Sequence, residues 1–403
     1  MRIVGIIFFL FSSLFAVNPL QDAIDKASPH AIIKLQNGIY KGNITITKPL
    51  SIVGLGNNVI IEGEQSGSVI TITSSHVKLQ NLQIRGSGDH MYAIDAAISM
   101  HHVNSCEIIQ CHISDALYGI DMDMVTNSLI KNNYITSKSF DIPLRGDGLK
   151  LYYSNKNTFD SNIIEKVRDV TLNYSNENLF TNNQFLSNRF STHISLSRGN
   201  VLRENRYRYN SVSIMLMGAK DTNVSHNTIH SSNGAAGIGV MIGAVSNFLF
   251  EKNSVRYNAK ALYIDGKEKE KGIKRFIIDN EIAYNGEAFH FHATIKDNNI
   301  TKNRVFGNIE DVVKDVEGSF DPSNRVAYNY WDRYSGFDRD NDGIGDTPYE
   351  VYQYADKLWQ YNKTVKFFYA SPIMTLLNFL SQLAPFIEPN MVMKDNKPLV
   401  NIN

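Results

Sequence analysis

The sequence is short of cysteine and of net charge. Of its 403 residues only Cys106 and Cys111 are cysteine, and Lys plus Arg balance Asp plus Glu at 40 each. A formal charge of zero excludes attachment to nucleic acid or anionic lipid by charge alone, because both need a basic surface. Two cysteines in a chain of this length exclude a disulfide scaffold. Their separation along extended chain, at about 3.3 Å per residue, exceeds the roughly 7 Å limit for a disulfide, so we expect free thiols.

Long apolar runs are missing after the N-terminus. There, Arg2 precedes an apolar stretch from Ile3 to Phe15, shorter than the roughly 18 residues that a spanning helix needs. This pattern predicts a signal peptide over residues 1–16, a mature chain that begins at Val17, and export to the periplasm. An uncleaved membrane anchor is the alternative.

What the sequence has in abundance is a repeat. An Asn followed two residues later by an apolar or aromatic residue recurs every 21 to 29 residues, at Asn133, Asn162, Asn183, Asn205, Asn227, Asn253, Asn280 and Asn303. The position 3 residues before each Asn, and the positions 11 and 13 residues before the first six, are almost all aliphatic or aromatic, which indicates strands with one buried face. A period of this length with short strands is typical of a solenoid. Asn suits tight corners, and stacked copies can hydrogen-bond to one another.

The predicted fold is therefore all-β: a right-handed parallel β-helix of about ten coils. A leucine-rich repeat would need an L-x-x-L-x-L spacing that is absent. We expect an N-terminal cap with the first coils over 17–60, repeats over 61–318, an irregular cap over 319–350 and a tail over 351–403. In the tail, Pro372 to Ala384 has apolar residues at helical spacing, so a short amphipathic helix should cap the solenoid or engage a membrane partner.

Residues between the inward positions should face solvent, and two groups of them carry chemistry. Asp121, Asp123, Lys150 and Tyr152 collect acids, a base and an aromatic ring. Such a group on this fold suggests a polysaccharide lyase or epimerase, although polar decoration of a wet sheet is the simpler interpretation.

The second group combines imidazole with thioethers, which suit either Cu(I) or an adaptable partner surface. Its members are His193, Met215, Met217 and Met241, with His101 as a further exposed candidate. The stretch "FHFH" at 289–292 should turn His290 and His292 outward, which is a weak metal signal.

One segment, "NYWDRYSGFDRDNDGIGDTPY" at 329–349, occurs only once. Its spacing matches the first nine positions of an EF-hand-like Ca²⁺ loop, with candidate ligands Asp338, Asp340, Asp342, the Ile344 carbonyl and Asp346. The bidentate acid of position 12 is missing, since Tyr349 stands there. A turn cluster ordered by aromatic residues is the alternative.

The same segment resembles the C-terminal signature of the NosD family of β-helix proteins, and so does the tail "SPIMTLLNFLSQLAPF" at 371–386. The resemblance implies an exported accessory protein for nitrous oxide reductase, without catalysis of its own. It implies an ABC-type permease and ATPase as partners, the reductase as client, and transient handling of copper or sulfur. Membrane contact would occur only through the permease. The rival hypothesis is a carbohydrate-active enzyme acting on an acidic polysaccharide, and a purely structural surface protein is a third.

Overall fold

The computed structural model describes residues 18–233, 236–265, 274–292, 296–315, 320–353, 368, 371–383 and 390–401. The predicted signal peptide lies outside the described residues. The chain divides into two compact units, Met1–Tyr207 and Arg208–Asn403.

A helix, Pro19–Lys26, opens the described part of the first unit. Asn18 caps it, because its side-chain oxygen accepts hydrogen bonds from the backbone amides of Leu20 and Gln21 at 3.1 and 3.2 Å. The helix buries Leu20, Ala23 and Ile24. It therefore covers apolar residues at the start of the solenoid, as the predicted N-terminal cap should.

The first unit is a parallel β-solenoid with three faces, A, B and C, which the chain visits in turn. Face A has the strands Ile32–Leu35, Ser51–Gly54, Lys78–Gln80, Glu107–Ile109, Leu129–Lys131, Thr158–Asp160, Leu179–Thr181 and Val201–Arg203. Face B has Gly38–Lys41, Val59–Glu62, Gln83–Arg85, His112–Ile113, Tyr134–Thr136, Ile163–Glu165, Gln184–Leu186 and, at the unit boundary, Arg206–Arg208. Face C has Ile44–Ile46, Ile70–Ile72, Ala96–His101, Tyr118–Asp123, Leu149–Tyr152, Asp169–Asn173 and Phe190–Ser195. A 3-10 turn, Ile142–Leu144, interrupts one loop.

The second unit repeats the same three-faced pattern. Its face A strands are Asn223–Ser225, Phe248–Glu251, Arg275–Ile278, Asn298–Thr301 and Arg325–Ala327. Its face B strands are Thr228–His230, Ser254–Arg256, Glu281–Ala283, Arg304–Phe306 and Tyr330–Trp331. Its face C strands are Val212–Met217, Ile238–Gly243, Lys260–Asp265, Glu287–Phe291 and Glu310–Lys314. The parallel all-β solenoid is confirmed, with 13, 13 and 12 strands described on the three faces, against about ten coils expected.

The core consists of ladders of like side chains. The predicted inward residues are buried in register, as in the row from Ile120 to Leu149 on face C. Aromatic rings stack where the column is aromatic: the centroids of Phe159 and Phe180 lie 4.3 Å apart at 12°. Burying each large apolar side chain contributes about 1.5–3 kcal/mol, so a ladder repeated on every coil holds the solenoid together.

The recurring Asn residues form a hydrogen-bonded ladder inside each unit. In the first unit the Nδ2 of Asn133 donates to the Oδ1 of Asn162 at 2.9 Å, and that pattern continues through Asn183 to Asn205. The second unit continues it from Asn227 to Asn329. The left-handed backbone residue precedes each Asn, for example Asn132 with φ 55° and Lys252 with φ 52°, so the αL corner falls one residue earlier than expected.

The C-terminal end of the second unit is closed by residues from distant parts of the sequence. Strands Tyr349–Gln353 and Asn390–Asp395 form an antiparallel pair. Trp331, 1% exposed, lies beneath them and donates its Nε1 hydrogen to Asp395 at 3.0 Å. The sheets reach Trp331, past the residue 318 at which we expect the repeats to end.

The predicted tail helix forms over Pro372–Leu383. Capping would bury its apolar residues, but those whose side chains are described are exposed: Ile373 by 64%, Leu376 by 56%, Leu377 by 42%, Phe379 by 55% and Leu380 by 47%. The expectation that this helix caps the solenoid is therefore wrong. Among the described residues, no helix is long and apolar enough to cross a membrane.

Candidate functional site

In the first unit, the predicted polar group lies on two adjacent strands of face C, Tyr118–Asp123 and Leu149–Tyr152. Asp121 pairs in register with Lys150, and Asp123 pairs with Tyr152. The Lys150 ammonium lies 3.2 Å from the Asp121 carboxylate and 6.0 Å from the Tyr152 ring centroid. The structure thus brings these four residues together.

The expectation that Asp121 faces solvent is wrong. Its exposed fraction is 2%, because Lys150 covers one side and Ser99, whose hydroxyl donates to the carboxylate at 3.3 Å, covers the other. Burial raises the pKa of Asp121, although the charge of Lys150 opposes the shift. A sheet position that points away from the core is therefore not automatically open to a ligand.

His101 and His193 also lie on face C of the first unit. His101 Nε2 is 2.8 Å from the Ser99 hydroxyl, and its Nδ1 is 3.7 Å from Asp123. His193 packs edge-on against Phe190 with ring centroids 5.9 Å apart, and burial lowers its pKa. The contacts of both histidines are of the kind that stabilise the fold, so a structural role explains them without a bound metal.

In the second unit, the outward positions of face C form a row of metal-donor side chains. Met215 pairs with Met241, Met241 with Tyr263, and Tyr263 with His290, on four consecutive strands. We call Met215, Met241, Tyr263 and His290 the donor row. Stacked strands lie about 4.8 Å apart, which places these residues side by side along the face. At one end of the row, the Tyr263 and His290 rings stack with centroids 4.8 Å apart.

Met217 lies beside the donor row, two residues after Met215. Its partner in register is Gly243, and a Cβ atom added there would come within 2.8 Å of the Met217 sulfur. The missing side chain therefore leaves the space that the thioether occupies. All three methionines are partly buried, so the predicted thioether group is assembled but less open than expected.

At its C-terminal end the donor row meets a histidine–carboxylate cluster. His290 and His292 alternate with the buried Phe289 and Phe291, so both imidazoles point away from the core. Only His292 is exposed, however; His290 is 3% exposed, so the expectation that it faces solvent is wrong. Asp315 lies between them: one carboxylate oxygen is 3.3 Å from His290 Nε2, and the other is 2.7 Å from His292 Nδ1. One donor atom from each of the three residues lies within 4.8 Å of the others.

The surroundings of this cluster are charged and aromatic. Glu287 lies 2.5 Å from His290 Nδ1, and the Lys260 ammonium lies 3.5 Å from Glu287. The Tyr263 ring stacks on His290 at 4.8 Å and 15°. Burial lowers the pKa of His290, but Asp315 and Glu287 outweigh it and raise the pKa. The two histidines in turn hold the pKa of Asp315 well below its usual range, against the effect of burial.

The Asp-rich loop brings together three of its five predicted ligands. Carboxylate oxygens of Asp338, Asp340 and Asp342 lie within 4.8 Å of one another, and the charge of Asp342 raises the pKa of Asp340. Asp346 instead accepts a hydrogen bond from the Arg339 backbone amide at 3.0 Å. Ile344 pairs with Leu399 of the C-terminal segment, so the loop is part of the cap.

Sequence reasoning missed Asp315 as a member of any site. The "FHFH" alternation placed both histidines on the side away from the core, although only His292 is exposed. Asp315 follows the last strand of face C, where no repeat remains to place it. Asp121 was predicted to be exposed and is buried. Strand alternation shows which side of the sheet a side chain lies on, but it does not show whether neighbouring side chains cover it.

Comparison with known proteins points to one family. The family profile described as "Periplasmic copper-binding protein (NosD)" matches residues 131–336, just over half of the chain. A Pseudomonas aeruginosa protein named "Probable ABC transporter binding protein NosD" is 26% identical over 91% of this chain and 88% of its own. A Stutzerimonas stutzeri protein of the same name is 32% identical over 31% of this chain and 29% of its own.

Solved structures share the fold at low sequence identity. The A-module of the mannuronan C-5 epimerase AlgE4 of Azotobacter vinelandii has a TM-score of 0.54 at 14% identity, covering 75% of this chain and 94% of that module. The A-module of AlgE6 from the same organism has a TM-score of 0.53 at 13% identity, over 78% and 93%. These likenesses show the solenoid alone, whereas the sequence profile is specific: the chain belongs to the NosD family.

Proposed function

We propose that this protein is a periplasmic accessory factor that works with an ABC transporter to supply copper during maturation of nitrous oxide reductase. The relation to a protein named for ABC transporter binding extends over 91% of the chain. The family description adds copper and the periplasm. Copper is cargo in this proposal, and the reductase is the client.

The donor row is the observation that carries the proposal. Thioethers bind Cu(I), whereas imidazole and carboxylate suit Cu(II). Met215 and Met241 occupy two consecutive strands, and His290 lies two strands further along the same row. Copper could therefore be held along this row, which a partner protein can reach at the partly exposed Met215 and Met241.

The exposed tail helix supports a docking partner. Five described apolar side chains on Pro372–Leu383 are 42–64% exposed, and an apolar surface of this kind marks an interaction site in a folded protein. We assign this helix to contact with the membrane permease of the transporter. In this proposal the helix binds a membrane partner, which is the alternative to capping the solenoid that the sequence left open.

An accessory role also agrees better with the first unit than polysaccharide chemistry does. A lyase or epimerase needs accessible carboxylates and a base that is free to reach a uronate. Here Asp121 is buried and its carboxylate is already bound by Lys150 and Ser99.

The test is deletion of the gene in its source organism, followed by purification of the nitrous oxide reductase. We expect reductase that lacks copper and sulfide of its copper–sulfide centre and recovers both when the intact gene is restored. A fully loaded, active reductase from the deletion strain would contradict the proposal, and acidic polysaccharides would then be tested as substrates.

A further inference from the structure

We propose that His290, His292 and Asp315 form a Cu(II)-binding site at the end of the donor row. The choice of copper rests on the proposed function, but the donor set and its geometry do not. Two parallel neighbouring strands of face C carry the site: His290 lies on Glu287–Phe291 with His292 directly after it, and Asp315 directly follows Glu310–Lys314.

An unsatisfied nitrogen points into the site. His290 is 3% exposed, and among the described residues its Nε2 atom has no hydrogen-bond partner of acceptable geometry. A buried polar atom without a partner costs about 1–3 kcal/mol. Such an atom, 3.3 Å from a carboxylate oxygen of Asp315, is suited to accept a metal ion as its partner.

The second ring nitrogen of His290, Nδ1, lies against a carboxylate, as the second nitrogen of a metal-binding histidine usually does. Metal-ligating imidazoles almost always donate the second ring N–H to a carboxylate or carbonyl, which fixes the tautomer. Here Glu287 Oε2 lies 2.5 Å from Nδ1. A proton on Nδ1 leaves the lone pair of Nε2 free to bind a metal. Tyr263, stacked on the ring, fixes the orientation of the imidazole.

The ligand types select the ion. Two imidazoles and one carboxylate suit Cu(II), Ni(II) and Zn(II), and affinity for such nitrogen and oxygen ligands is highest for Cu(II). Asp315 and Glu287 supply carboxylates that attract a divalent cation, and the Lys260 ammonium lies 3.5 Å from Glu287. Lys260 is nearest to Glu287 and to His290 Nδ1, on the side away from Asp315.

The site also has an entrance. The His292 side chain is 44% exposed and the Asp315 side chain 13%, whereas His290 is buried beneath them. A copper ion can therefore arrive from solvent or from a partner through His292. Buried His290 then completes the chelate, while positions left open by the protein remain available to a ligand from the next carrier.

The experiment titrates the purified, tag-free chain with Cu(II) and records binding calorimetry and electron paramagnetic resonance spectra. We expect one equivalent of Cu(II) with nitrogen hyperfine coupling from two imidazoles, and weaker binding of Zn(II). His292→Gln should weaken Cu(II) binding about 100-fold and remove one coupled nitrogen. Because His292 is exposed, this variant should retain the wild-type circular dichroism and melting temperature. Glu287→Gln should weaken binding about 10- to 100-fold while both nitrogens remain coupled.

The matched control is His230→Gln. His230 lies in the same unit, on face B, and its ring contacts Ser231 and Tyr257. This variant should bind Cu(II) like the wild type. If His292→Gln and Asp315→Asn both bind Cu(II) like the wild type, or if Zn(II) binds more tightly, the proposed site is wrong. The two proposals can fail separately. If the variants lose copper binding but deletion of the gene leaves the reductase fully loaded, the site is upheld and the maturation role is refuted.

Discussion

The end of the Asn ladder should depend on one carboxylate, Asp395. In the second unit, each Asn of the ladder from Asn227 onward donates an Nδ2 hydrogen to the Oδ1 of the next, so the last one, Asn329, needs an acceptor. Asp395 supplies it: one oxygen accepts from Asn329 Nδ2 at 2.8 Å, from the Asn329 amide at 3.2 Å and from Trp331 Nε1 at 3.0 Å. The other oxygen accepts from the Lys397 amide at 3.0 Å. Asp395 is fully buried.

The magnitude follows from the number of donors left without an acceptor. Asp395→Ala leaves three buried donors on Asn329 and Trp331 unsatisfied, at about 1–3 kcal/mol each. Water entering the cavity satisfies part of them, so we expect the free energy of unfolding to fall by about 3–6 kcal/mol. Asp395→Asn keeps one carbonyl oxygen for those donors and loses the charge and the contact with Lys397. We expect a loss of only about 1–2 kcal/mol.

The assay is urea unfolding followed by the fluorescence of Trp331, in a Trp359→Phe background that leaves Trp331 as the single tryptophan. Asn396→Ala, an exposed position in the same turn, is the matched control and should change the free energy of unfolding by less than about 0.5 kcal/mol. If Asp395→Ala lowers the free energy of unfolding by less than about 1 kcal/mol, or if Asp395→Asn lowers it as much as Asp395→Ala does, the Asp395 carboxylate does not terminate the ladder.

Three further predictions concern pH, calcium and copper. Burial raises the pKa of Asp311 to about 6, so the folded protein holds a proton that the unfolded chain loses near pH 4. The free energy of unfolding of the protein should therefore fall by up to about 3 kcal/mol as the pH rises from 4 to 6. Asp311→Asn should abolish this dependence of unfolding free energy on pH. An unchanged pH dependence in the variant would show that Asp311 does not have a raised pKa. If the Asp-rich loop binds Ca²⁺, millimolar Ca²⁺ should raise the melting temperature and Asp340→Ala should remove the effect, whereas equal responses in both proteins would leave the loop a turn cluster. Replacing the thioethers by leucine should weaken Cu(I) binding by at least about tenfold and leave Cu(II) binding unchanged; equal Cu(I) affinity would show that sulfur is not a ligand. The leucine variant carries changes at Met215, Met217 and Met241.

The repeat made most of the fold predictable. Strand alternation identified the inward columns, and the spacing of Asn identified a polar ladder, because a solenoid applies the same local rule on every coil. The tail helix was also predictable from its apolar spacing. Its exposure was not, because amphipathic spacing shows that a helix has an apolar face and not what that face contacts.

The rest depends on contacts that periodicity does not encode. Asp395 reaches Asn329 from 66 residues away, at the end of a strand that pairs with Tyr349–Gln353 after the end of the repeat. Asp315 completes a histidine pair from the neighbouring strand, and Asp121 is covered by side chains of the strands on either side. Each of these features needs the lateral arrangement of coils, which a single strand's pattern cannot supply.

The most direct test of the copper role is the copper content of nitrous oxide reductase purified from deletion strains that carry different versions of this gene. The wild-type gene and the His230→Gln control should restore a complete copper–sulfide centre. A gene that combines His290→Gln and His292→Gln, expressed at wild-type level, should leave the reductase deficient in copper. Full copper loading in the strain that lacks the gene altogether would contradict the account.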